Sequence, residues 1–435
     1  MRKRLKTLAR RVYPLPAVGL SLAVICATPC ARSAAPADGP WRFDFGGAQV
    51  ATGWTPVLPS STFNPQRGHG FDLDTTASIV VREAPDALLR DFATSDKPFY
   101  FSVALREGNY DVTVILGDAR DASTNTVKAE SRRLMLEDVR TTPGQFSTNR
   151  FTVNIRGPRI ATGGAVKLKA REIGYLHWDN KLTLEFNGAR PCLAGLEIQR
   201  ATNAATVYLA GDSTVTDQPF EPWNSWGQML PRFFRAGVAV ANHAESGESI
   251  KSSVGAGRFQ KIFSTLRPGD YLFLHFGHND MKDRATNALA AYRSNLVHFV
   301  KATRQAGATP VLLTSMERKG GVNRETLGDY PRTVRDVAQT EGVALIDLQA
   351  MSRTLYRALG PERIDKAFQD GTHHNNYGSY ELARCVVEGI KASGLPLARL
   401  LATDAGTFNP ARPDAPENFH LPASPLRDNV KPDGN

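Results

Sequence analysis

Cysteine is scarce in this chain: four in 435 residues. Cys26 and Cys30 fall in the first 37 residues, which read as a removable leader, so Cys192 and Cys385 remain. These two lie in differently patterned halves and read as buried thiols rather than a disulfide. Beyond the leader no run is apolar enough to cross a bilayer, which excludes a membrane-spanning helix there. A strong excess of one charge is missing too. The leader holds seven Lys/Arg and no Asp/Glu, so removing it reduces the formal +10 to +3. With that, nucleic-acid binding loses its main support.

The leader itself is ordered as a secretory signal peptide. Met1 to Arg11 is basic, Val12 to about Pro29 is apolar, and Ala34-Ala35 and Ala35-Pro36-Ala37 are candidate cleavage sites. Arg10-Arg11 is loosely similar to a twin-arginine signal, and Cys30 lacks the preceding leucine of lipoprotein signals. The expectation is a soluble protein, secreted or periplasmic.

At 435 residues two domains are the natural division of the mature chain. From about Trp41 to Arg200 short alternating runs are broken by Gly, Pro, Asn and Asp. Tyr110–Ile115, Arg150–Ile155 and Lys181–Phe186 alternate with period two, predicting half-buried strands of an all-β sandwich over residues 41–201. After Ala201-Thr202-Asn203 apolar runs alternate with longer helical stretches. Strands are predicted at Thr206–Ala210, Val238–Asn242, Asp270–Phe276, Pro310–Thr314 and Val343–Leu348. Helices are predicted near Trp223–Arg235, Arg258–Leu266, Ala288–Ala306, Arg324–Glu341 and Tyr377–Ala392. This is an α/β, doubly wound, five-stranded parallel sheet over residues 204–400. Residues 401–435 are rich in Pro, Asp and Asn and read as a surface tail.

In such sheets ligands bind beyond the carboxyl ends of the strands. Three short segments fall there: Gly211-Asp212-Ser213, then Ser246-Gly247, then Gly277-His278-Asn279-Asp280. A fourth, Asp370-Gly371-Thr372-His373, precedes the last helix. A serine hydroxyl becomes a good nucleophile only when a base takes its proton, and that base needs an anchor on its second nitrogen. Ser213, His373 and Asp370 supply the three groups. The Gly247 N–H and the Asn279 amide are donors for a developing oxyanion, although Asn279 reads equally as a helix cap. Adjacent imidazoles rarely face one metal, so His373 and His374 are not read as a zinc site.

In this order the four segments resemble the SGNH hydrolase (GDSL esterase) superfamily. The resemblance makes Ser213 the nucleophile and first oxyanion N–H, Gly247 and Asn279 the further oxyanion donors, His373 the base and Asp370 its partner. An α/β-hydrolase is disfavoured, because Gly211-Asp212-Ser213-Thr214-Val215 lacks the second glycine of Gly-x-Ser-x-Gly. Within the superfamily, Gly211–Val215, Trp226-Gly227-Gln228-Met229-Leu230 and Gly277–Asp280 are similar to rhamnogalacturonan acetylesterases. Phe43-Asp44-Phe45-Gly46, Gly68-His69-Gly70-Phe71 and Glu130–Leu134 resemble a galactose-binding-like sandwich that precedes some bacterial members. After His373 the loop continues His374-Asn375, a departure that bears on fine substrate preference.

The implied reaction is removal of O-acetyl groups from a pectic polysaccharide by Ser-His-Asp chemistry, with no metal or organic cofactor. An anionic substrate would suit Lys251, Arg284 and Arg318, yet residues 202–401 hold 23 Lys/Arg against 19 Asp/Glu, so solvated surface charges account for them equally well. Trp223 and Trp226 could stack on sugar rings or pack in the core. Two alternatives stay open: an esterase of the same superfamily acting on another acetylated glycan such as xylan, or on a lipid; and a carbohydrate-binding protein without activity.

Overall fold

The computed structural model describes residues 39–47, 49–84 and 86–434, and residues 38–435 form one compact unit. The signal peptide read over residues 1–37 lies outside the described residues. Among them no helix is long and apolar enough to cross a membrane, and Cys192 and Cys385 are both buried free thiols.

Residues 41–200 fold into two sheets packed face to face. One contains Gly108–Gly117 between Phe146–Ile155 and Cys192–Arg200; the other runs His69–Asp72, Phe99–Ala104, Lys181–Arg190, Ser123–Ala129, Arg133–Thr141. The alternation in sequence explains the layers. On Gly108–Gly117 the side chains of Tyr110, Val112, Val114 and Leu116 face inward, while Asp111, Thr113 and Ile115 are less buried. They meet Phe43, Phe71, Phe101, Leu184 and Phe186 in a single core.

The second half is built on a five-stranded parallel sheet: β1 (Ala205–Gly211), β2 (Val238–Asn242), β3 (Tyr271–His275), β4 (Thr309–Leu313) and β5 (Ala344–Ile346). Their order is β2-β1-β3-β4-β5. Seven helices accompany it: α1 (Trp226–Met229), α2 (Ile250–Gly255), α3 (Arg258–Thr265), α4 (Ala288–Gln305), α5 (Tyr330–Glu341), α6 (Leu348–Arg363) and α7 (Asn376–Ala392). Both faces of the sheet are covered, which is why its strands read as continuous apolar runs. Val207 and Leu209 belong to one core, Tyr208 and Ala210 to the other. The strand order reverses direction at β1 and β3, and the crevice beyond their carboxyl ends is the switch point.

The structure differs from the sequence reading at four places. The helix expected over 223–235 is only one turn, α1, followed by a 3-10 turn at Leu230–Phe233. Ser225 caps α1 through Gln228 N, so the helix cannot begin at Trp223. Pro231 then lacks the N–H needed to extend it. α5 begins at Tyr330 rather than Arg324, after Gly328 in the left-handed region. α2 and α6 were not foreseen. α6 contains Gly360-Pro361, and its backbone kinks there with φ 68° at Gly360. Residues 401–434 are more than a surface tail. They return along both halves: Tyr377 donates to Asp414 O at 2.6 Å, Lys128 to Pro422 O at 2.6 Å, and Glu221 N to Leu426 O at 2.9 Å.

The two halves are joined by the hairpin tip at Glu130–Leu134. Glu130 and Arg132 adopt positive φ, 56° and 63°, which turns successive side chains out of the sandwich. Arg132 donates to the carbonyls of Gln218 (3.1 Å) and Trp223 (2.9 Å) and pairs with Glu221 at 2.7 Å. Arg133 pairs with Asp217 at 2.7 Å, and Leu134 enters the apolar core beneath the parallel sheet. All four charged groups are buried. Without Arg133 the buried Asp217 keeps only Arg156 at 3.6 Å and the Asn242 amide at 2.8 Å, and removing one partner of a buried pair costs about 3–5 kcal/mol. Arg133→Met is therefore expected to lower unfolding free energy by about 3 kcal/mol or more in urea titrations. Breaking the exposed Arg150–Asp111 pair with Arg150→Ala should cost less than about 1 kcal/mol.

Candidate active site

Ser213 sits two residues beyond β1. Gly211 is required there by close approach rather than by a left-handed turn. A β-carbon on it would lie 2.7 Å from Val215 Cγ2 and 2.8 Å from His275 O on the neighbouring strand. Asp212 turns inward: its Oδ1 accepts from Thr214 N (3.0 Å) and Thr214 Oγ1 (2.7 Å), and its Oδ2 lies 3.3 Å from His278 Nδ1. Burial alone would raise the pKa of Asp212, but the charge and hydrogen bond of His278 outweigh it and hold the carboxyl well below its ordinary range. The other ring nitrogen of His278 lies 2.9 Å from Met316 O. Asp212 and His278 thus brace the corner between β1 and β3, a role that sequence reading did not assign. Paired in neither spacing nor segment, they offered no local signal.

The loop 370–375 delivers the other two groups. Ser213 Oγ lies 2.8 Å from His373 Nε2, and His373 Nδ1 lies 2.8 Å from Asp370 Oδ2. The remaining carboxylate oxygen, Asp370 Oδ1, accepts from Thr372 N at 2.6 Å and His373 N at 2.7 Å. Burial pushes the Asp370 pKa up, yet the His373 contact and these two N–H donors hold it well below the ordinary value. An imidazole held in this way can take a proton from the alcohol and keep its second N–H on the carboxylate. His374 faces elsewhere. Its Nε2 lies 3.0 Å from the Tyr356 hydroxyl, its ring packs on Phe368, and burial lowers its pKa to about 3.

Gly247 and Asn279 converge on the same crevice. Gly247 has φ 77°, the left-handed conformation that a glycine adopts without strain. Asn279 Nδ2 donates to Glu248 O at 3.0 Å, leaving its second N–H available, and its Oδ1 accepts from Lys282 at 2.9 Å. These two contacts fix which way the amide points. Asn279 opens the short turn Asp280–Lys282 but makes no side-chain capping bond, so the helix-cap reading does not hold. Gln218 Nε2 ties the loops together through Ser213 O (2.8 Å) and Ser246 Oγ (3.3 Å).

The structure separates the other candidates. Trp223 stands edge-on to His373 with ring centres 5.8 Å apart, whereas Trp226 is fully buried and stacked on His275. Lys251 is a solvated surface cation beside Asp283, and Arg284 is exposed. Arg318 is half-buried, 3.4 Å from His278 O. A buried trio, Glu172, His177 and Glu245, places donor atoms within 4.8 Å of one another. A divalent ion there would face cations instead. Arg258 grips Glu172 at 2.6 Å, Arg171 lies 3.1 Å from Glu245, and after burial the nearby arginines are what lower the His177 pKa.

Residues 209–379 match the GDSL-like lipase/acylhydrolase family, and residues 41–161 match the β-agarase/YXIM esterase-like, galactose-binding domain-like family. Over 221 residues the chain is 39% identical to the rhamnogalacturonan acetylesterase RhgT of Bacillus subtilis (strain 168), covering 46% of this chain and 95% of that protein. The esterase YxiM of the same organism is 26% identical over 375 residues, or 82% of this chain and 91% of that one. The crystal structure of the Bacillus subtilis YXIM protein aligns with 82% of this chain and 99% of its own, at 23% identity and a TM-score of 0.44.

Asp280 lies directly beside Asn279. Its Oδ1 accepts from Ile250 N at 2.9 Å, and burial followed by the charge of Asp212 raises its pKa to about 7. A carboxyl raised in the folded state stabilises below its unfolded value, near 4, and loses that contribution as pH climbs to about 7. Asp280→Asn is therefore expected to shrink the fall in Tm between pH 4 and pH 8, as read by thermal melts of both proteins.

Proposed function

Because the chain belongs to the GDSL-like lipase/acylhydrolase family and is a carbohydrate O-acetylesterase, we propose that it deacetylates rhamnogalacturonan by Ser-His-Asp chemistry. The observation that carries the mechanism is the unbroken line Ser213 Oγ, His373, Asp370 with both contacts at 2.8 Å. Ser213 attacks the acetyl carbonyl as His373 takes its proton. The oxyanion forms among Ser213 N–H, Gly247 N–H and the Asn279 amide. His373 then protonates the departing sugar hydroxyl, and water repeats the cycle on the acetyl-serine. Asp370 keeps the imidazole in the working tautomer throughout.

The substrate reading rests on RhgT, whose name states its activity and of which this chain covers 95%. Export of the protein, inferred from the leader, fits a polymer too large to enter the cytoplasm.

Two expectations test this reading. Acetate release from a panel of acetylated polysaccharides should be fastest with rhamnogalacturonan; equal or greater rates on acetylxylan would refute the substrate assignment. Ser213→Ala should lose at least about 1000-fold in kcat, and Asn279→Ala about 100- to 1000-fold, since an oxyanion donor contributes that much. Full activity of Ser213→Ala on p-nitrophenyl acetate would remove Ser213 from its role.

A further inference from the structure

The catalytic groups are covered by the protein's own chain. Ser213 is 2% and His373 1% exposed, although an acetyl group carried on a polymer must reach both. The segment Asp428–Gly434 lies across the same crevice, in contact with the residues that surround these two groups. At one end, Trp223 Nε1 donates to Asp428 O at 3.2 Å. In the middle, Lys431 Nζ lies 3.6 Å from Asp370 Oδ2. At the far end the Lys282 ammonium donates to Gly434 O. Gly434 lies against both residues assigned to the oxyanion site: a β-carbon on it would lie 3.0 Å from Gly247 N, a donor, and 2.8 Å from Asn279 Oδ1, the acceptor end of that amide. Asp433 Cβ would in turn lie 3.1 Å from a β-carbon on Gly247. The segment therefore stands where the acyl group of a substrate must sit.

We propose that Asp428–Gly434 is a displaceable strap lying in the polysaccharide groove, and that substrate binds by lifting it and taking over its contacts. The contacts are of the kind a saccharide makes. An indole N–H and an ammonium hold two carbonyl oxygens of the strap, and sugar hydroxyl or carboxylate oxygens accept from the same donors. Along its path the strap borders a cavity of about 160 Å³ walled by Arg171, Tyr175, Phe220 and Trp223. These are a guanidinium that also faces Glu245 at 3.1 Å and three aromatic rings, apolar surface of the kind a sugar chain packs on. Two of the four, Arg171 and Tyr175, come from the β-rich half, so the groove spans both halves.

That wall is braced by buried ion pairs, whereas the strap, with Pro432 buried, is held by a few side-chain contacts. Arg258 grips both oxygens of Glu172 (2.6 and 3.1 Å), Trp178 donates to the same carboxylate at 2.9 Å, and this fixes the loop bearing Arg171 and Tyr175. The strap has no regular secondary structure, and Val430 is 74% exposed. Upstream the chain is anchored: Ser424 Oγ donates to Glu185 at 2.6 Å, and Asp428 N donates to Glu221 O at 3.0 Å. Lifting thus hinges just after Asp428 and leaves the anchor in place.

This inference takes Ser213 as nucleophile from the proposed function, and the test separates the two. Two proteins are compared with wild type on p-nitrophenyl acetate and on acetylated rhamnogalacturonan: a chain ending at Asp428, and full-length Lys431→Glu, which sets like charges together beside Asp370. Both should gain about tenfold in kcat/KM on either substrate, the factor expected when a site otherwise open about a tenth of the time is freed. Both should also react faster with a fluorophosphonate serine probe. Hydrogen exchange of wild-type amides 429–434 should accelerate when acetylated oligosaccharide is added. Unchanged kcat/KM in Lys431→Glu, with no acceleration of exchange, would overturn the strap while an inactive Ser213→Ala left the esterase mechanism standing. Should Ser213→Ala remain active, it is the mechanism that fails.

Discussion

Two buried ion pairs, Arg132–Glu221 and Arg133–Asp217, carry the architecture of the site. Both link a hairpin tip of the sandwich to the loop that follows Ser213. That loop has little regular structure of its own, and its backbone carbonyls at Gln218 and Trp223 are satisfied by Arg132 rather than by a neighbouring strand. Charges buried like this are tolerated only when every partner is present. The sandwich is therefore more than an appended module. It holds the loop that follows Ser213, and through Lys169 and Arg171 it approaches the Gly247 loop, where Lys169 donates to Ser246 O and Arg171 faces Glu245.

Within that frame the site is made from opposed electrostatic demands. Asp212 is fully buried and Asp370 half-buried, which alone would favour their neutral forms, and both are held ionised by an imidazole and by local donors. One carboxylate orients the imidazole beside Ser213, and the other stiffens the corner from which the serine projects. Asp280, next to Asn279, is instead pushed upward by burial and by the charge of Asp212. Three aspartates near one crevice thus have different charge behaviour, set by the partners that tertiary packing supplies.

Much of the fold was legible because burial leaves a periodic trace. Val207 to Ala210 had to be apolar throughout, since successive residues face two different cores. Tyr110 to Leu116 alternate because one face of that strand is less buried. The short elements were not legible. A four-residue α1 and the kinked α6 carry too few turns, or too contrary a Gly-Pro pair, for periodicity to register. Residues 401–434 were read as surface tail because Pro, Asp and Asn are turn formers; their contacts with Lys128, Glu221 and Trp223 are fixed by partners some 200 to 300 positions away.

What the sequence determined by itself is the chemistry at each strand end: which residues offer a hydroxyl, an imidazole, a carboxylate, an amide or a bare backbone N–H. Asp370 and His373 lie three positions apart, so their contact is written locally into one turn. Only the tertiary structure decided that Ser213, 160 positions earlier, meets that imidazole at 2.8 Å, that Gly247 and Asn279 face one crevice, and that the chain's own residues 428–434 lie across it. The physical reason is range. Backbone propensity and side-chain periodicity act over a few residues, whereas a catalytic contact needs strands distant in sequence to share one sheet edge, and that depends on packing summed over the whole chain.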